Sequence, residues 1–545
     1  MVAVTQNGIC PPGEVDVVIV GAGFGGIYLL HKLRKIGYSV QAFESAGGLG
    51  GVWRRNAYPG ARVDTNVPYY EFAVDEIWKD WYWKETYPGR DELCDYFDYI
   101  DTKWDLSKDI KFNTTVVSAH FDPDQNKWTV RTDAGDCIKT RFFLPCTGVA
   151  SKIYVPHMKG LETFRGPSFH TARWPEAGVD IEGKRVGVIG TGASGVQVIQ
   201  EMGPYVKQLT VFQRTANMAL PMGQQKLSKA DQDREKPNYP QQHAFVKKSK
   251  KGFPIVGRDK KTAEDSPQER KEFWETLWQK QGFHPWTGNY KDLVYDQDAN
   301  DEFYLFWRDK VTQRITRTND PDLIENLAPR KPPHPFGVKR TSLEQNYYEI
   351  YNQDNVELVN IKKNPIIEIT PTGVTTAEKT YELDVLVLAT GFDAVTGGLC
   401  LMDIRGIDNA SLKDKWEKGT STYLGIATSG FPNMLMMYGP HSPGAFAVGP
   451  TLNEVQGDWI ISCMQHMDRK NFARVDVSRA AETHWSKHVN TLVNSSLFPK
   501  ANGWWVGGNI PGKPREALSY IGGLEQYRKT IDQCCENGYE GFVFT

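Results

Sequence analysis

Two glycine turns hold the residues whose types and spacing could do chemistry. Gly21, Gly23 and Gly26 form G-x-G-x-x-G after the apolar run at residues 15–20, and Gly190, Gly192 and Gly195 repeat the pattern after residues 185–189. In a strand-turn-helix setting such glycines let the backbone approach a pyrophosphate, and the helix N-terminus stabilises its charge. Each turn is followed by a short second strand, and the residues closing those strands differ in charge. Glu44 lies 23 positions after Gly21, and Arg214 lies 24 positions after Gly190. A carboxylate accepts from a ribose 2'-hydroxyl and repels a 2'-phosphate, whereas a guanidinium pairs with that phosphate. The first site therefore expects FAD or NAD, and the second NADPH. Two dinucleotide sites on one chain imply an enzyme that moves electrons from one cofactor to another.

The elements that must position these residues follow from the same pattern. Residues 15–20 and 185–189 are continuous apolar runs rich in β-branched residues, the mark of strands buried on both faces of a parallel sheet. Helices are expected at 27–36 and 196–202, and second strands at 39–43 and 209–213. A glycine cluster at 47–53 lies just beyond the ribose acid, where a long nucleotide such as FAD must continue towards its flavin. Strand-like stretches at 128–131 and 141–144 lead back to the sheet. From about 217 to 326 the composition turns charged and aromatic, with apolar residues at helical spacing, which argues an inserted helical region that covers the cleft. Residues 384–393 read as another buried strand crossing back into the first domain. The stretches 430–433, 439–443 and 504–514 are too rich in Gly and Pro for packed helix and are expected as loops facing the cleft.

Length and composition bound the answer. The 545 residues imply two to four domains. The 64 basic and 66 acidic residues leave a net charge of -2, so no nucleic acid or anionic membrane is implied. The eight cysteines show no C-x-x-C or zinc spacing, so no metal is expected and the compartment reads as reducing and cytoplasmic. Residues 1–14 lack the pattern of a secretory signal, and no run is apolar enough to span a membrane.

Between the two turns, the segment 164–175 carries Phe164, Gly166, His170, Trp174 and Pro175 in the spacing F-x-G-x-x-x-H-x-x-x-W-P. Gly51, Trp53, Tyr58, Gly60 and Asp64 form a glycine-aromatic motif, and residues 384–392 match D-x-L-V-x-A-T-G-F. In these motifs the sequence resembles the Baeyer-Villiger monooxygenases, and within them the cyclohexanone monooxygenase type. The resemblance covers nearly the whole chain.

The resemblance implies an α/β fold of two Rossmann-like dinucleotide-binding domains, for FAD and NADP, with an inserted helical region. The expected division is 1–150 for the FAD domain's first part, 151–216 for the NADP domain's first part, and 217–330 for the helical insertion. The NADP domain then resumes over 331–384, and 385–545 completes the FAD domain with the C-terminal region. The implied activity uses NADPH and dioxygen: reduced FAD takes up dioxygen at C4a, and the resulting peroxide attacks a ketone carbonyl to give an ester or lactone. Arg340 matches the arginine beside the flavin and Asp64 the acid that positions it. Lys339 and Arg214 match the residues on the 2'-phosphate, with Thr215 beside them and Ser194 within the second turn. Gly51, Trp53 and Trp504 complete the cofactor-binding set. His170 belongs to a linker that is conformational in this family and is not assigned as a base. Arg54 and Arg55 depart from the family's aromatics between Trp53 and Asn56. Expected partners are a small-molecule ketone and dioxygen, with no stable membrane anchor and a monomer as the expected state. The alternatives are a flavin monooxygenase acting on amines or thioethers, and a non-enzymatic flavin redox sensor. A disulfide reductase of the same two-site plan would need a cysteine pair that the sequence lacks.

Overall fold

The computed structural model describes residues 13–317 and 320–545. Cys10 and most of the stretch searched for a leader lie outside the described residues.

Strands β1 (Gly13–Val20), β2 (Val40–Phe43), β3 (Ile110–Lys111), β4 (Val116–Asp122), β5 (Lys127–Thr132) and β6 (Cys137–Pro145) build the first sheet. Its order is Asp403–Arg405, β4, β5, β6, β1, β2, β3. β1 lies parallel to both β2 and β6, and its consecutive residues Val17, Val18 and Ile19 are fully buried, so both faces of the strand are covered. Burial of such a side chain contributes about 1.5–3 kcal/mol, which makes this centre strand costly to alter. β4, β5 and β6 run antiparallel as a meander. The helix Phe24–Lys35 starts directly at the first turn.

Strands β7 (Ser168–His170), β8 (Arg185–Ile189) and β9 (Gln208–Gln213) belong to a second sheet, ordered Val356–Asn360, β9, β8, Val385–Leu388, β7. All of its pairings are parallel. The helix Ala193–Met202 crosses from β8 to β9, repeating the arrangement of the first sheet. The chain is thus α/β, with two Rossmann-like sheets.

One expectation needs correction. In sequence the stretch 384–393 reads as the crossing back into the first domain, with a boundary at 384/385. Its strand Val385–Leu388 instead lies between β8 and β7, pairing Val387 with Val188 and with Phe169. The return to the first sheet comes after it, at Asp403–Arg405, which pairs with β4. A buried apolar strand of four residues carries no label for which sheet it joins, and only long-range pairing decides that.

The insertion leaves and rejoins through the paired strands Leu220–Pro221 and Leu343–Glu344. Between them lie the helices Lys229–Glu235, Tyr239–Lys248, Pro267–Lys280, Gln297–Thr312 and Leu323–Leu327. Pro267–Lys280 opens with a capping box in which Ser266 accepts from the Glu269 backbone and Glu269 accepts in return. Its apolar face buries Trp274 and Leu277, and Trp274 packs against Phe303 and Phe306 of Gln297–Thr312. Arg314 binds Glu344 and Glu349 together and ties the insertion to the strand Leu343–Glu344 and the short helix Tyr347–Ile350 that follow it.

Three long helices, Gly449–Lys470, Arg479–Asn494 and Leu524–Glu536, lie in the C-terminal region. The first opens in Gly-Pro, which reads as loop, yet proline suits a helix's first turn because its missing N–H has no partner there. It packs on Phe24–Lys35, where the Tyr28 hydroxyl donates to Asp458 at 2.6 Å. No helix among the described residues is long and apolar enough to cross a membrane.

Candidate active site

The first turn is built by close approach. A Cβ on Gly26 would stand 1.8 Å from the Gly21 carbonyl oxygen, and a Cβ on Gly51 would stand 3.2 Å from the Gly23 Cα. The helix that follows has no side-chain cap and no acid in its first turn. Its leading N–H groups are therefore free for an anion. Glu44, buried at the end of β2, accepts from the Ala22 N–H at 2.8 Å and the Ala46 N–H at 2.7 Å. A carboxylate has about four acceptor positions, so Glu44 is held in place with capacity left for a ribose hydroxyl. These features fit the pyrophosphate and ribose of FAD.

The second turn repeats the geometry. A Cβ on Gly195 would stand 2.3 Å from the Gly190 carbonyl oxygen, whereas one on Gly192 would meet nothing within 4 Å. The helix Ala193–Met202 also lacks a side-chain cap and a leading acid. The Thr191 hydroxyl donates to the Thr215 carbonyl at 3.0 Å, and Asn217 donates to the Thr191 carbonyl and the Ser342 hydroxyl. These bonds lock the glycine turn to the segments carrying Arg214 and Arg340. Burial pushes Lys339 down to about 8, with Arg214 and Lys362 adding repulsion. None of these three cations forms an ion pair among the described residues. They fit a 2'-phosphate, and Lys362 was not anticipated. It follows the strand Val356–Asn360, whose Asn360 pairs with Gln213 next to Arg214. The signal was an ordinary Lys-Lys pair until the strands were aligned.

Arg340 and Asp64 meet between the two turns. Arg340 Nε donates to Asp64 Oδ2 at 2.6 Å and its Nη2 to Oδ1 at 2.8 Å, the bidentate fork that fixes a guanidinium plane. Nη1 donates to the Ala445 carbonyl at 3.0 Å. Phe253 and Phe283 lie 5.7 and 5.0 Å from the guanidinium carbon. Burial disfavours the charge, but Asp64 outweighs it, so Arg340 stays protonated above its usual range. Asp64, Phe253 and Phe283 also line a cavity of about 210 Å³ that continues to Thr65, Tyr87 and Met222.

The remaining expected residues divide between this cleft and its frame. Trp53 donates from Nε1 to the Tyr70 hydroxyl at 3.1 Å. The Ser194 hydroxyl donates to the Tyr58 hydroxyl at 3.2 Å, and Tyr58 donates to Gln197 at 2.7 Å, joining the glycine-aromatic segment to the second helix. Trp504 is partly buried beside Ala394 and Val395, and a Cβ on the preceding Gly503 would stand 3.5 Å from Lys339 Cγ. The Trp504 loop thus lies over the basic cluster.

The linker forms part of the second sheet. His170 pairs with Leu388, its Nδ1 accepts from the Ala172 N–H, and its Nε2 faces the Gly391 carbonyl at 3.1 Å. Both ring nitrogens are occupied by backbone, and Trp174 is buried against Phe169. Arg54 turns away from the turn to pair with Asp98 at 2.6 Å and to donate to the Leu49 carbonyl, and Arg55 is exposed. The seven described cysteines are free, and burial pushes the Cys146 thiol beside the first turn well above its usual value.

Comparison with known proteins places the chain. The flavin-binding monooxygenase-like family matches residues 14–225. A cyclopentanone 1,2-monooxygenase of Comamonas sp. (strain NCIMB 9872) is 47% identical over 531 residues, covering 97% of this chain and 96% of that protein. A Baeyer-Villiger monooxygenase of Pseudooceanicola batsensis is 36% identical over 543 residues, covering 99% and 98%. The chain belongs to the Baeyer-Villiger monooxygenases. Among solved members, the OTEMO complex with FAD and NADP superposes with a TM-score of 0.93 at 38% identity, covering 97% of this chain and 99% of that one. That superposition spans nearly the whole of both chains, so the likeness extends well beyond the motifs.

Proposed function

We propose that this chain catalyses NADPH- and dioxygen-dependent insertion of one oxygen atom beside a ketone carbonyl, giving an ester, or a lactone from a ring ketone. One atom of dioxygen enters the bond between the carbonyl carbon and its migrating substituent. The other leaves as water, with NADPH supplying two electrons. The observation that carries this reading is the Arg340–Asp64 fork, with Asp64 also lining a cavity that Phe253 and Phe283 wall on one side.

FAD, reduced by NADPH, supplies the oxygen chemistry when bound. The chain's own residues position and stabilise. Gly21, Gly23, Gly26 and Gly51 admit the FAD pyrophosphate, and Glu44 accepts from its ribose. Gly190, Gly192, Gly195 and Ser194 admit the NADPH pyrophosphate, and Arg214, Lys339 and Lys362, beside Thr215, hold the 2'-phosphate. Arg340 faces the negative charge that develops on the ketone oxygen, and Asp64 fixes its plane so that no reorientation is needed in the reaction. Trp53 walls the flavin side, and Trp504 closes the nicotinamide side against water. The division of labour among segments is FAD for 1–150, NADP for 151–216 and for 331 to about 390, and cleft cover for 217–330. The rest completes the FAD side. The working unit is a monomer in the cytoplasm.

The test is to purify the protein and incubate it with NADPH, air, a panel of cyclic and linear ketones, and a thioether. A yellow protein that yields esters or lactones one oxygen heavier supports the reading. Sulfoxide as the sole product would replace it with oxygenation of soft nucleophiles. A colourless protein that cannot be loaded with FAD would overturn it.

A further inference from the structure

The loop that carries Trp504 is fastened at one short run of chain, residues 392–395, just after the strand Val385–Leu388. The loop is pinched shut on itself, since a Cβ on Gly507 would stand 2.4 Å from the Pro514 carbonyl oxygen. Two of its side chains then reach across. The Asn509 amide donates to the Phe392 carbonyl at 2.8 Å, and Lys513 Nζ donates to Asp393 Oδ1 at 2.7 Å and to the Ala394 carbonyl at 3.1 Å. Trp504 packs beside Ala394 and Val395, so the ring and the polar bonds rest on the same run.

The linker converges on this run from the other side. Lys152 Nζ donates to the second carboxylate oxygen, Asp393 Oδ2, at 2.9 Å, and the Asp393 N–H donates to the Lys152 carbonyl at 2.9 Å. Asp393 is thus shared by a cation on the loop and a cation on the linker, and neither lysine pairs with another carboxylate among the described residues. Burial works against the Asp393 charge, but Lys513 and Lys152 outweigh it and hold the carboxyl below its usual range. Asp393 and Lys513 are 15% and 13% exposed, so their pair is largely shielded from water, whereas Lys152 is 39% exposed. Taking the sole partner from a shielded carboxylate is costly because the charge is stranded. Here Lys513 can leave while Lys152 still neutralises Asp393. The loop is therefore held by a shielded ion pair, yet its release strands no charge.

We propose that Asp393 is a positioning residue that sets Trp504 over the nicotinamide side through Lys513, with Lys152 as the standing counter-ion that lets the loop lift and return. The role given to Trp504 rests on the monooxygenase reading, whereas the latch itself does not need it.

The test follows hydrogen exchange of the backbone amides of residues 503–516 in the full-length protein, together with the Michaelis constants for NADPH and NADH. Lys513→Met keeps the stem and loses the charge. It should speed exchange over that segment about tenfold, the scale of one charge-assisted hydrogen bond. It should also raise both Michaelis constants by a common factor, because the loop is displaced and the contacts to the 2'-phosphate are not. Lys513→Arg should restore exchange and both constants. Lys152→Met should leave exchange over 503–516 as in the wild type and speed it at residues 151–154 instead, since Lys513 keeps its carboxylate. Exchange over 503–516 that is unchanged in Lys513→Met, or as fast in Lys152→Met as in Lys513→Met, would overturn the inference while the monooxygenase reading stands. A wild type that forms no ester or lactone from any ketone, yet follows this exchange pattern, would keep the latch and overturn the reading it serves.

Discussion

The two glycine turns are nearly the same object, and their differences lie one strand away. In both, the third glycine is pressed against the carbonyl of the first, at 1.8 Å and 2.3 Å from where a Cβ would sit. In both, a helix starts with no side-chain cap and no acid. On the reading proposed above, the backbone meets what the two nucleotides have in common, their pyrophosphate. The residue after the second strand is then the one that meets what differs. Glu44 is buried and anchored by two N–H donors, so its carboxylate is satisfied before any ligand arrives. Arg214 is exposed, and with Lys339 and Lys362 it forms a group of like charges without a counter-ion. One site is a finished frame with spare acceptors, whereas the other is a cluster of like charges that an incoming phosphate would relieve.

The largest effect comes from breaking one turn while leaving the other. Gly26→Ala forces the backbone apart at the first turn, and the purified protein should be colourless. Gly195→Ala should stay yellow, yet lose NADPH-driven flavin reduction by more than about a hundredfold, since an unfitting alanine costs several kcal/mol at such a contact. Flavin absorbance and stopped-flow reduction separate the two outcomes. If both variants kept FAD and NADPH turnover, the turns would not be the pyrophosphate sites.

Next is the arginine between the turns. Arg340→Ala should retain FAD and its reduction by NADPH but form ester at least about a hundredfold more slowly, the usual loss when a charge-stabilising donor is removed. Asp64 is then left unpaired in a partly buried place, so some loss of thermal stability should accompany it. Arg214→Ala acts on the second site alone. The Michaelis constant for NADPH should rise about tenfold to a hundredfold, from the loss of a charge-assisted pair, while that for NADH stays within about twofold. Equal losses with both nucleotides would remove the 2'-phosphate role from Arg214.

Much of this contrast was legible in the sequence, because it rests on local patterns. A buried strand, a glycine turn and a helix leave a period that can be read in a line, and so does the charge of the residue closing the next strand. Long-range pairing leaves none. Lys362 joined the basic cluster only once the strand Val356–Asn360 lay beside β9, and Val385–Leu388 went to the second sheet through partners some 200 residues away in the chain. Arg54, a departure in sequence, is explained by Asp98 on a helix that pattern reading had not paired with it. The helix Gly449–Lys470 was hidden because its Gly-Pro start reads as a turn, although it packs on the helix that carries the first turn.

The smallest effect sharpens the comparison most, because it concerns the cluster's like charges themselves. Lys339 is pushed down to about 8 by burial first and by Arg214 and Lys362 after it. Below that pH the ammonium is present to meet a 2'-phosphate, and as pH rises through about 8 it is lost. The Michaelis constant for NADPH should therefore climb a few-fold between about pH 7 and pH 9, while that for NADH stays flat. Lys339→Arg should flatten the NADPH profile, since a guanidinium keeps its proton throughout. The same shift acts on stability with the opposite sign. Between about 8 and the unfolded lysine's pKa the unfolded chain binds more protons than the folded one, so the Lys339 contribution to stability improves as pH rises. Weaker NADPH binding alongside a steadier ligand-free protein is the signature of a cation placed for a ligand at the fold's expense. A profile that is the same for NADPH and NADH, or unchanged in Lys339→Arg, would move Lys339 out of the phosphate site and leave Arg214 and Lys362 to hold it.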